Sequence, residues 1–296
     1  MKKRIFGHEV EVRAQTCNMN SVRGSSVAEP YINLYVRITN NCNAACEFCE
    51  FNGVDRNQFD MMKFMYTLYR LYREVKINKI AITGGEPTTW VGYVQNIVKA
   101  VKELDPTIYT VVNTNGYRWK PLMDYLPYID SVALSRHHIS DTVNTNIFDT
   151  HDVASLMDIA DFPDKSKLHL SCNLMRGYVD SAEKAHEYIE HFSTLGVLDV
   201  GFVSLMQINA FCKSRHINFN ELELESMPDT IRTMTQSQGD LKKPSCRCAN
   251  FLTSTSNGSI VKSYARYYAE PEACSALLVF DDNQLKVGFN GKTIFK

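Results

Sequence analysis

The chain has 296 residues, of which 44% are hydrophobic and 22% are charged, and its net charge at pH 7 is −1. This composition is typical of a globular protein, and the balanced charge argues against a nucleic-acid or membrane-surface partner. The sequence has no apolar stretch of membrane-spanning length, and no apolar run follows the basic start at Met1 to Arg4 as a secretory signal would require. We therefore expect a cytoplasmic protein that acts on a small molecule or a short peptide.

Residues 31 to 208 alternate short apolar runs with stretches of helical periodicity, the pattern of repeated βα units. Strands that are apolar throughout are typical of a parallel sheet buried on both faces. Apolar stripes at 61–71 and 94–104 indicate two of the covering helices. The predicted strands are Tyr31 to Ile38, Lys79 to Thr83, Ile108 to Asn113, Ser131 to Ser135, Leu168 to Asn173 and Val200 to Met206. The fold class predicted from this pattern is α/β.

The pattern changes after Met206. A Glu-rich stretch near Glu221 to Ser237 has helical spacing and leads to a break marked by Pro and Ser at Gly239 to Ser245. Two β-hairpins are predicted beyond this break, at Asn250 to Tyr268 and at Ser275 to Gly291. We predict three parts of the chain: an N-terminal extension over 1–30, an α/β domain over 31–238 and a β-rich appendage over 239–296.

Nine cysteines are an odd and high number for a cytosolic protein, which favours metal ligation over paired disulfides. Cys42, Cys46 and Cys49 follow the first predicted strand with C-x3-C-x2-C spacing. Three thiolates on one loop can hold three corners of an iron–sulfur cube and leave one iron open for catalysis. The alternative is a structural zinc site, which requires a fourth ligand that the local sequence lacks.

Two motifs resemble those of the radical S-adenosylmethionine (radical SAM) superfamily. The cysteine motif has an aromatic residue, Phe48, before its last cysteine, and Gly84-Gly85-Glu86-Pro87 follows the second predicted strand. Glycines allow the backbone to approach a ligand closely, and proline fixes the exit from the turn. The resemblance covers about 31–208 and implies a partial (β/α)6 TIM-like barrel.

The resemblance also implies the cofactors. The three cysteines would hold a 4Fe-4S cluster, and Phe48 and the Gly-Gly-Glu-Pro turn would bind S-adenosylmethionine (SAM). An electron from a reductant such as flavodoxin or ferredoxin would pass through the cluster and split SAM into methionine and a 5'-deoxyadenosyl radical. This radical would take a hydrogen atom from the substrate.

Polar residues at the ends of the later strands are further candidates, because ligands of parallel α/β folds bind at the carboxyl ends of strands. By their place in the family pattern, the predicted cofactor-binding residues are Asn115, Ser135, Asn173 and Gln207. A turn or another structural role is the alternative for each. Arg176 could meet a carboxylate or face solvent. His137 and His138 could act as acid or base, but surface histidines are commoner, and neither is included in the predicted site.

Four cysteines gather late in the chain, whereas Cys17 and Cys172 are interpreted as inert thiols. This crowding favours an auxiliary iron–sulfur cluster with ligands from Cys212, Cys246, Cys248 and Cys274. The stretch from Cys248 to Ser263 is similar to the twitch-type auxiliary domain of the GTP 3',8-cyclases. Cys248 could alternatively give a hydrogen atom to a substrate radical, as a cysteine does in some relatives, and is the predicted catalytic residue.

The sequence departs from the cyclase pattern in three places. The spacing is C-x-C instead of C-x2-C, Ser263 occupies the position of the third cysteine, and the chain ends in Phe295-Lys296 instead of Gly-Gly. The leading hypothesis is therefore a radical SAM enzyme that abstracts hydrogen from a small metabolite or short peptide, for epimerisation, dehydrogenation or coupling. A GTP 3',8-cyclase-like enzyme is the first alternative, and a non-catalytic zinc or iron–sulfur protein for binding or electron transfer is the second.

Overall fold

The computed structural model describes residues 2–12, 31–49, 59–233, 249–266, 277–289 and 291–296. In chain order, the described strands are β1 Lys2–Ile5, β2 His8–Glu11, β3 Tyr31–Arg37, β4 Lys76–Thr83, β5 Tyr109–Thr114, β6 Ser131–Ser135, β7 Leu168–Leu174, β8 Asp199–Ser204, β9 Thr230–Thr233, β10 Ala249–Ser254, β11 Ile260–Arg266, β12 Leu277–Asp281, β13 Gln284–Val287 and β14 Thr293–Phe295. The described α-helices are α1 Met61–Glu74, α2 Val91–Leu104, α3 Asp141–Phe148, α4 Leu156–Ala160, α5 Ala182–Thr194, α6 Ala210–Arg215 and α7 Phe219–Leu222.

The central structure is a run of six parallel strands, β3 to β8, in which each strand pairs with the next along the chain. Connections through helices make this order possible, because parallel neighbours need a crossover. All six predicted strands are present, and the amphipathic stripes form α1 and α2. The result is a mixed α/β fold with a large parallel sheet.

The two faces of this sheet differ in composition. Alternate side chains such as Leu34, Ile80 and Val112 are fully buried against the helices in the main core. The opposite face carries small residues at its centre, where Ala81, Val111 and Ala133 form a separate apolar cluster. Tyr35 and Tyr109 pack against this cluster, so this face is distinct from the main core.

Five helices begin at residues that favour helix starts. Each of these side chains accepts a hydrogen bond from a backbone N–H of the first turn, which replaces a partner that the helix itself cannot supply. The capping residues are Asp60 of α1, Ser140 of α3, Ser155 of α4, Ser181 of α5 and Asn209 of α6.

The two predicted hairpins are present, as β10–β11 and β12–β13. Instead of pairing with each other in the described residues, they extend the two edges of the central sheet. β11 pairs parallel with β8, and β12 pairs parallel with β3. With β9 and β14 at the ends, twelve of the described strands form one sheet, and β1 and β2 form a separate antiparallel pair.

One predicted helix is wrong. In place of a continuous helix from Glu221 to Ser237, the structure has the short helix α7, a 3-10 turn at Leu224–Ser226 and then β9, which pairs antiparallel with β10. Pro228 disfavours helix at the residue before it, and Asp229 adopts a positive φ of 49°. Residues 234–237 lie outside the described part. No helix that the structure describes has the length and hydrophobicity needed to cross a membrane.

Candidate functional site

The three-cysteine loop lies at the carboxyl end of β3, at the edge of the sheet where ligands of parallel folds bind. Cys42 is exposed, Cys46 is buried and Cys49 is half-buried. The backbone N–H of Cys49 donates to the carbonyl of Cys46 at 3.0 Å, and the N–H of Ala45 donates to the carbonyl of Phe148 at 3.1 Å. The loop is therefore tied both to itself and to the end of α3.

The Gly-Gly-Glu-Pro turn at the end of β4 packs directly on this loop. Gly85 N–H donates to the carbonyl of Thr39, and Glu86 N–H donates to the carbonyl of Asn41, both at 2.8 Å. A Cβ atom on Gly84 would lie 2.6 Å from the Thr39 carbonyl oxygen, and one on Gly85 would lie 2.4 Å from that of Asn41. Glycine is needed here because the two backbones touch. The two sequence motifs meet in space.

Glu86 is 1% exposed, and protein groups donate hydrogen bonds to its carboxylate. It accepts hydrogen bonds from the Thr88 hydroxyl at 2.6 Å, the Thr114 hydroxyl at 2.7 Å and the Asn115 backbone N–H at 2.7 Å. Burial raises the pKa of Glu86, and these donated hydrogen bonds oppose that rise. Its side chain joins the turn after β4 to the turn after β5.

Asn115 contacts the same loop from the end of β5. Its Nδ2 donates to Asn43 Oδ1 at 2.9 Å, and its Oδ1 accepts from the backbone N–H of Tyr117 at 2.9 Å. Asn43 in turn donates to the carbonyl of Asp152 at 2.7 Å. The predicted cofactor residue Asn115 therefore also holds the segment between Cys42 and Cys46.

His137, which was not in the predicted site, lies among its members. It is 3% exposed, and its Nδ1 is 3.1 Å from the backbone N of Asn173. The ring of Phe48 meets its ring edge-on at 5.2 Å, and that of Phe148 stacks on it at 5.0 Å. A backbone N–H can only donate, so Nδ1 is the acceptor and the neutral ring carries its proton on Nε2.

Burial, reinforced by the neighbouring Arg136 guanidinium, lowers the pKa of His137 to about 3. The ring is therefore neutral near pH 7. No described residue accepts a hydrogen bond from Nε2. The sequence signal for this residue was its place directly after a strand that ends at the predicted site.

The other predicted strand-end residues are less constrained. Ser135 is half-buried at the end of β6, Asn173 is half-buried near the end of β7, and Gln207 is exposed three residues after β8. Arg176 is exposed and pairs with Glu221 at 2.8 Å. These groups line the half of the sheet edge opposite the glycine turn.

Arg136, next to Ser135, is 1% exposed, and its guanidinium donates hydrogen bonds to protein groups. It pairs with Asp141 at 2.7 Å and donates to the carbonyls of His138, Ile139 and Ala154. Its guanidinium therefore fixes the connection from β6 to α3.

Cys212 lies beside the three-cysteine loop. It is in α6, is 1% exposed, and its Sγ is 3.5 Å from the carbonyl oxygen of Phe48. Cys246, Cys248 and Cys274 lie outside the described residues, so the auxiliary cluster and the role of Cys248 stay predictions.

The pKa values of two loop thiols bear on whether the loop can bind iron. Burial raises the pKa of Cys42, and burial together with the charges of Cys49 and Cys42 raises that of Cys46 to about 12. Thiolates at Cys42 and Cys46 therefore need positive charge beside them, which iron would supply. Within the described ranges, no three Cys, His, Asp or Glu side chains have a preformed metal-binding arrangement. Binding of an iron–sulfur cluster would therefore have to bring the three thiols together.

Residues 36–198 match the profile of the Radical SAM superfamily, which is more than half of the chain. The chain belongs to this superfamily, and superfamily members are enzymes that use a 4Fe-4S cluster and SAM.

Among its relatives, a Saccharolobus solfataricus protein named "Probable GTP 3',8-cyclase" is 26% identical over 275 residues, covering 89% of this chain and 82% of the relative. A GTP 3',8-cyclase of Haemophilus influenzae is 30% identical over 112 residues, covering 35% of this chain and 33% of the relative.

The fold is similar to that of Streptococcus suis SuiB bound to SAM, with a TM-score of 0.54 and 19% identity, over 63% of this chain and 44% of SuiB. SuiB bound to its precursor peptide SuiA gives a TM-score of 0.53. The chain thus spans less than half of the length of SuiB.

Proposed function

We propose that this protein reductively cleaves SAM at the three-cysteine loop and uses the resulting radical to abstract hydrogen from a small metabolite or a short peptide. The observation that carries the proposal is the direct backbone contact between the cysteine loop and the Gly-Gly-Glu-Pro turn, at 2.8 Å through Gly85 and Glu86. A turn with no role at the loop would not need two glycines whose Cβ positions overlap the loop's carbonyl oxygens.

In this proposal Cys42, Cys46 and Cys49 hold the cluster. When bound, the cluster and SAM supply an electron and a 5'-deoxyadenosyl radical. The protein's own part is to orient and shield these groups. Phe48 and the backbone of 84–87 bind SAM, and Glu86 holds that turn in place through its buried hydrogen bonds.

The opposite half of the edge offers groups that can meet the rest of the ligand. The proposed contacts come from Asn115, Ser135, Asn173, Gln207 and, newly, the Nε2–H of His137. In the neutral imidazole, Nδ1 accepts a hydrogen bond from the Asn173 backbone, so Nε2–H is the one remaining donor and its direction is fixed. The protein thereby provides a donor whose direction is set before SAM binds.

The sheet would form part of a (β/α)6 barrel, with the C-terminal hairpins belonging to a twitch-like region that carries the auxiliary cluster. In this proposal Cys248 is a cluster ligand or a hydrogen donor to the substrate radical. A cytoplasmic location and a reductant such as flavodoxin or ferredoxin complete the proposal. The cysteine crowding after residue 240 supports the region's role.

A GTP 3',8-cyclase-like reaction is the second candidate. The match to the Saccharolobus relative over 89% of this chain favours it. The C-x-C spacing and Ser263 in place of a cysteine oppose it, and Ser263 is a buried residue of β11 in the described structure. Incubation of the reconstituted protein with GTP, SAM and dithionite, followed by mass spectrometry for a cyclised product, would separate the two candidates.

Anaerobic reconstitution with iron and sulfide, followed by addition of dithionite and SAM, tests the proposal. We expect 5'-deoxyadenosine, measured by mass spectrometry, from the wild type and none above background from Cys46→Ala. Cys172→Ala is the control for loss of a buried thiol outside the three-cysteine loop. It should retain SAM cleavage because, among the described residues, the Cys172 thiol hydrogen-bonds only to the backbone carbonyls of His137 and Asn173. Purified protein that contains zinc and does not cleave SAM after reconstitution would contradict the proposed SAM cleavage.

Iron analysis tests the auxiliary cluster separately. Two four-iron clusters give about eight iron atoms per chain, and replacement of Cys246 and Cys248 should reduce this to about four. About four iron atoms in the wild type would contradict the second cluster. Solvent deuterium at one carbon of an otherwise unchanged product would identify an epimerase.

A further inference from the structure

The start of α6 reaches back to the three-cysteine loop with two side chains. Asn209 Nδ2 donates to the carbonyl of Glu47 at 3.0 Å, and Cys212 Sγ donates to the carbonyl of Phe48 at 3.5 Å. Asn209 Oδ1 also accepts from the Cys212 backbone N–H at 2.8 Å. Two consecutive carbonyls between the second and third cysteines are thus held by one turn of helix.

These two carbonyls belong to the tight part of the loop. The Cys49 N–H donates to the Cys46 carbonyl across them at 3.0 Å, so Glu47 and Phe48 are the central residues of a turn. Fixing both carbonyls sets the planes of the two peptides on either side of Phe48, whose ring meets that of His137 at 5.2 Å.

The helix that supplies these donors is itself anchored to the sheet. Arg176, two residues after β7, donates its backbone N–H to the carbonyl of Arg215 at 2.9 Å, and the Arg215 guanidinium donates to the carbonyl of Arg176 at 2.9 Å. The Arg215 guanidinium also lies over the rings of Tyr178 and Phe211, at 5.6 and 5.7 Å. The loop is therefore held by a support that is connected to β7.

We propose that Asn209 and Cys212 are positioning residues that clamp the 46–49 turn in the geometry needed by the cluster, and that Cys212 serves this first loop instead of an auxiliary cluster. The cluster part of this inference rests on the proposed function. Cys212 is 1% exposed with its thiol directed at a carbonyl, which is the arrangement of a buried donor.

Three substitutions separate the clamp from other roles. Asn209→Asp keeps an oxygen that can cap α6 but replaces the donor to Glu47 with an oxygen, so it breaks the clamp and preserves the helix cap. Cys212→Ser keeps a donor to Phe48, whereas Cys212→Ala removes it. Ser181→Ala is the matched control, because Ser181 caps α5 in the same way and, among the described residues, no hydrogen bond joins it to the loop.

Hydrogen exchange of the apo protein, measured by mass spectrometry on a peptide covering 44–49, is the first readout. Loss of one such hydrogen bond should make exchange about fivefold to tenfold faster in Asn209→Asp and Cys212→Ala. Cys212→Ser and Ser181→Ala should exchange as the wild type does. Wild-type exchange in both Asn209→Asp and Cys212→Ala would overturn the clamp.

The rate of iron loss from reconstituted protein to a chelator is the second readout. We expect it to rise severalfold in Asn209→Asp and Cys212→Ala, with the initial iron content of Cys212→Ser equal to that of the wild type. If Cys212→Ser binds less iron than the wild type, Cys212 is a ligand and the inference is wrong. If neither the wild type nor any variant binds iron, the proposed function fails. The hydrogen-exchange results still test whether Asn209 and Cys212 hold the 46–49 turn.

Discussion

The two halves of the sheet edge that carries the candidate site are built differently. At the ends of β3, β4 and β5, backbone hydrogen bonds and the buried Glu86 carboxylate join three connections into one unit. At the ends of β6, β7 and β8, the side chains of Ser135, Asn173 and Gln207 are half-buried or exposed. The first half fixes the cysteine loop, and the second half leaves polar groups available. Substitutions in the first half should therefore affect folding more than substitutions of Ser135, Asn173 or Gln207 in the second.

The largest effect is expected at Glu86. Glu86→Ala leaves the Thr88 backbone N–H, the Thr114 hydroxyl and the Asn115 backbone N–H without their acceptor, and each unsatisfied buried group costs about 1 to 3 kcal/mol. We expect the free energy of unfolding to fall by more than about 3 kcal/mol, measured by urea denaturation of the apo protein.

Glu103→Ala is the control for this substitution, because the Glu103 side chain is 64% exposed and its ion pair with Lys99 is at the surface. It should change the free energy of unfolding by less than about 0.5 kcal/mol. Equal effects of the two substitutions would show that Glu86 does not hold the two turns together.

A somewhat smaller effect is expected at Gly85. The new methyl group of Gly85→Ala would lie 2.4 Å from the Asn41 carbonyl oxygen, so the cysteine loop must move away from the turn. We expect destabilisation by about 2 to 3 kcal/mol, measured by denaturation, and weaker iron uptake on reconstitution.

Gly92→Ala gives the comparison within the next helix. Gly92 lies in α2, and a Cβ atom at this position would have no described neighbour within 4 Å. Alanine should therefore be neutral or should stabilise the helix by up to about 1 kcal/mol. Similar destabilisation by both substitutions would contradict the close contact between the turn and the loop.

The smallest effect, up to about 2 kcal/mol between pH 6.5 and pH 5, tests the second half of the edge through the pH dependence of the free energy of unfolding. The pKa of His137 is lowered to about 3 in the folded protein, against about 6.5 in an unfolded chain. Below pH 6.5 the unfolded chain therefore binds a proton that the folded protein does not. This contribution is fully present above that pH and is lost as the pH falls towards 3, at up to about 1.4 kcal/mol per pH unit.

Denaturation curves between pH 5 and pH 7 measure this contribution. His137→Asn should flatten the dependence of the unfolding free energy on pH relative to the wild type. An unchanged slope in His137→Asn would mean that His137 takes up a proton in the folded protein.

Much of the fold was predictable because its signals are local. Each strand from β3 to β8 is a short apolar run, and its periodicity does not depend on distant residues. The helix predicted after Glu221 was wrong because that prediction also used only local signals. Helical spacing is visible locally, whereas the pairing of β9 with β10 depends on residues 17 or more positions away. The hairpins were also predictable, but their pairing with β8 and β3 was not.

The family and the three-thiol loop follow from the sequence, since motif spacing along the chain carries that information. Tertiary structure alone decided which groups meet: the glycine turn on the cysteine loop, His137 between two phenylalanine rings, and Cys212 beside Phe48. Such contacts depend on how strands end and helices return, and residue type gives no measure of that. For this reason the sequence placed Cys212 with the late cysteines, and the fold places it at the first loop.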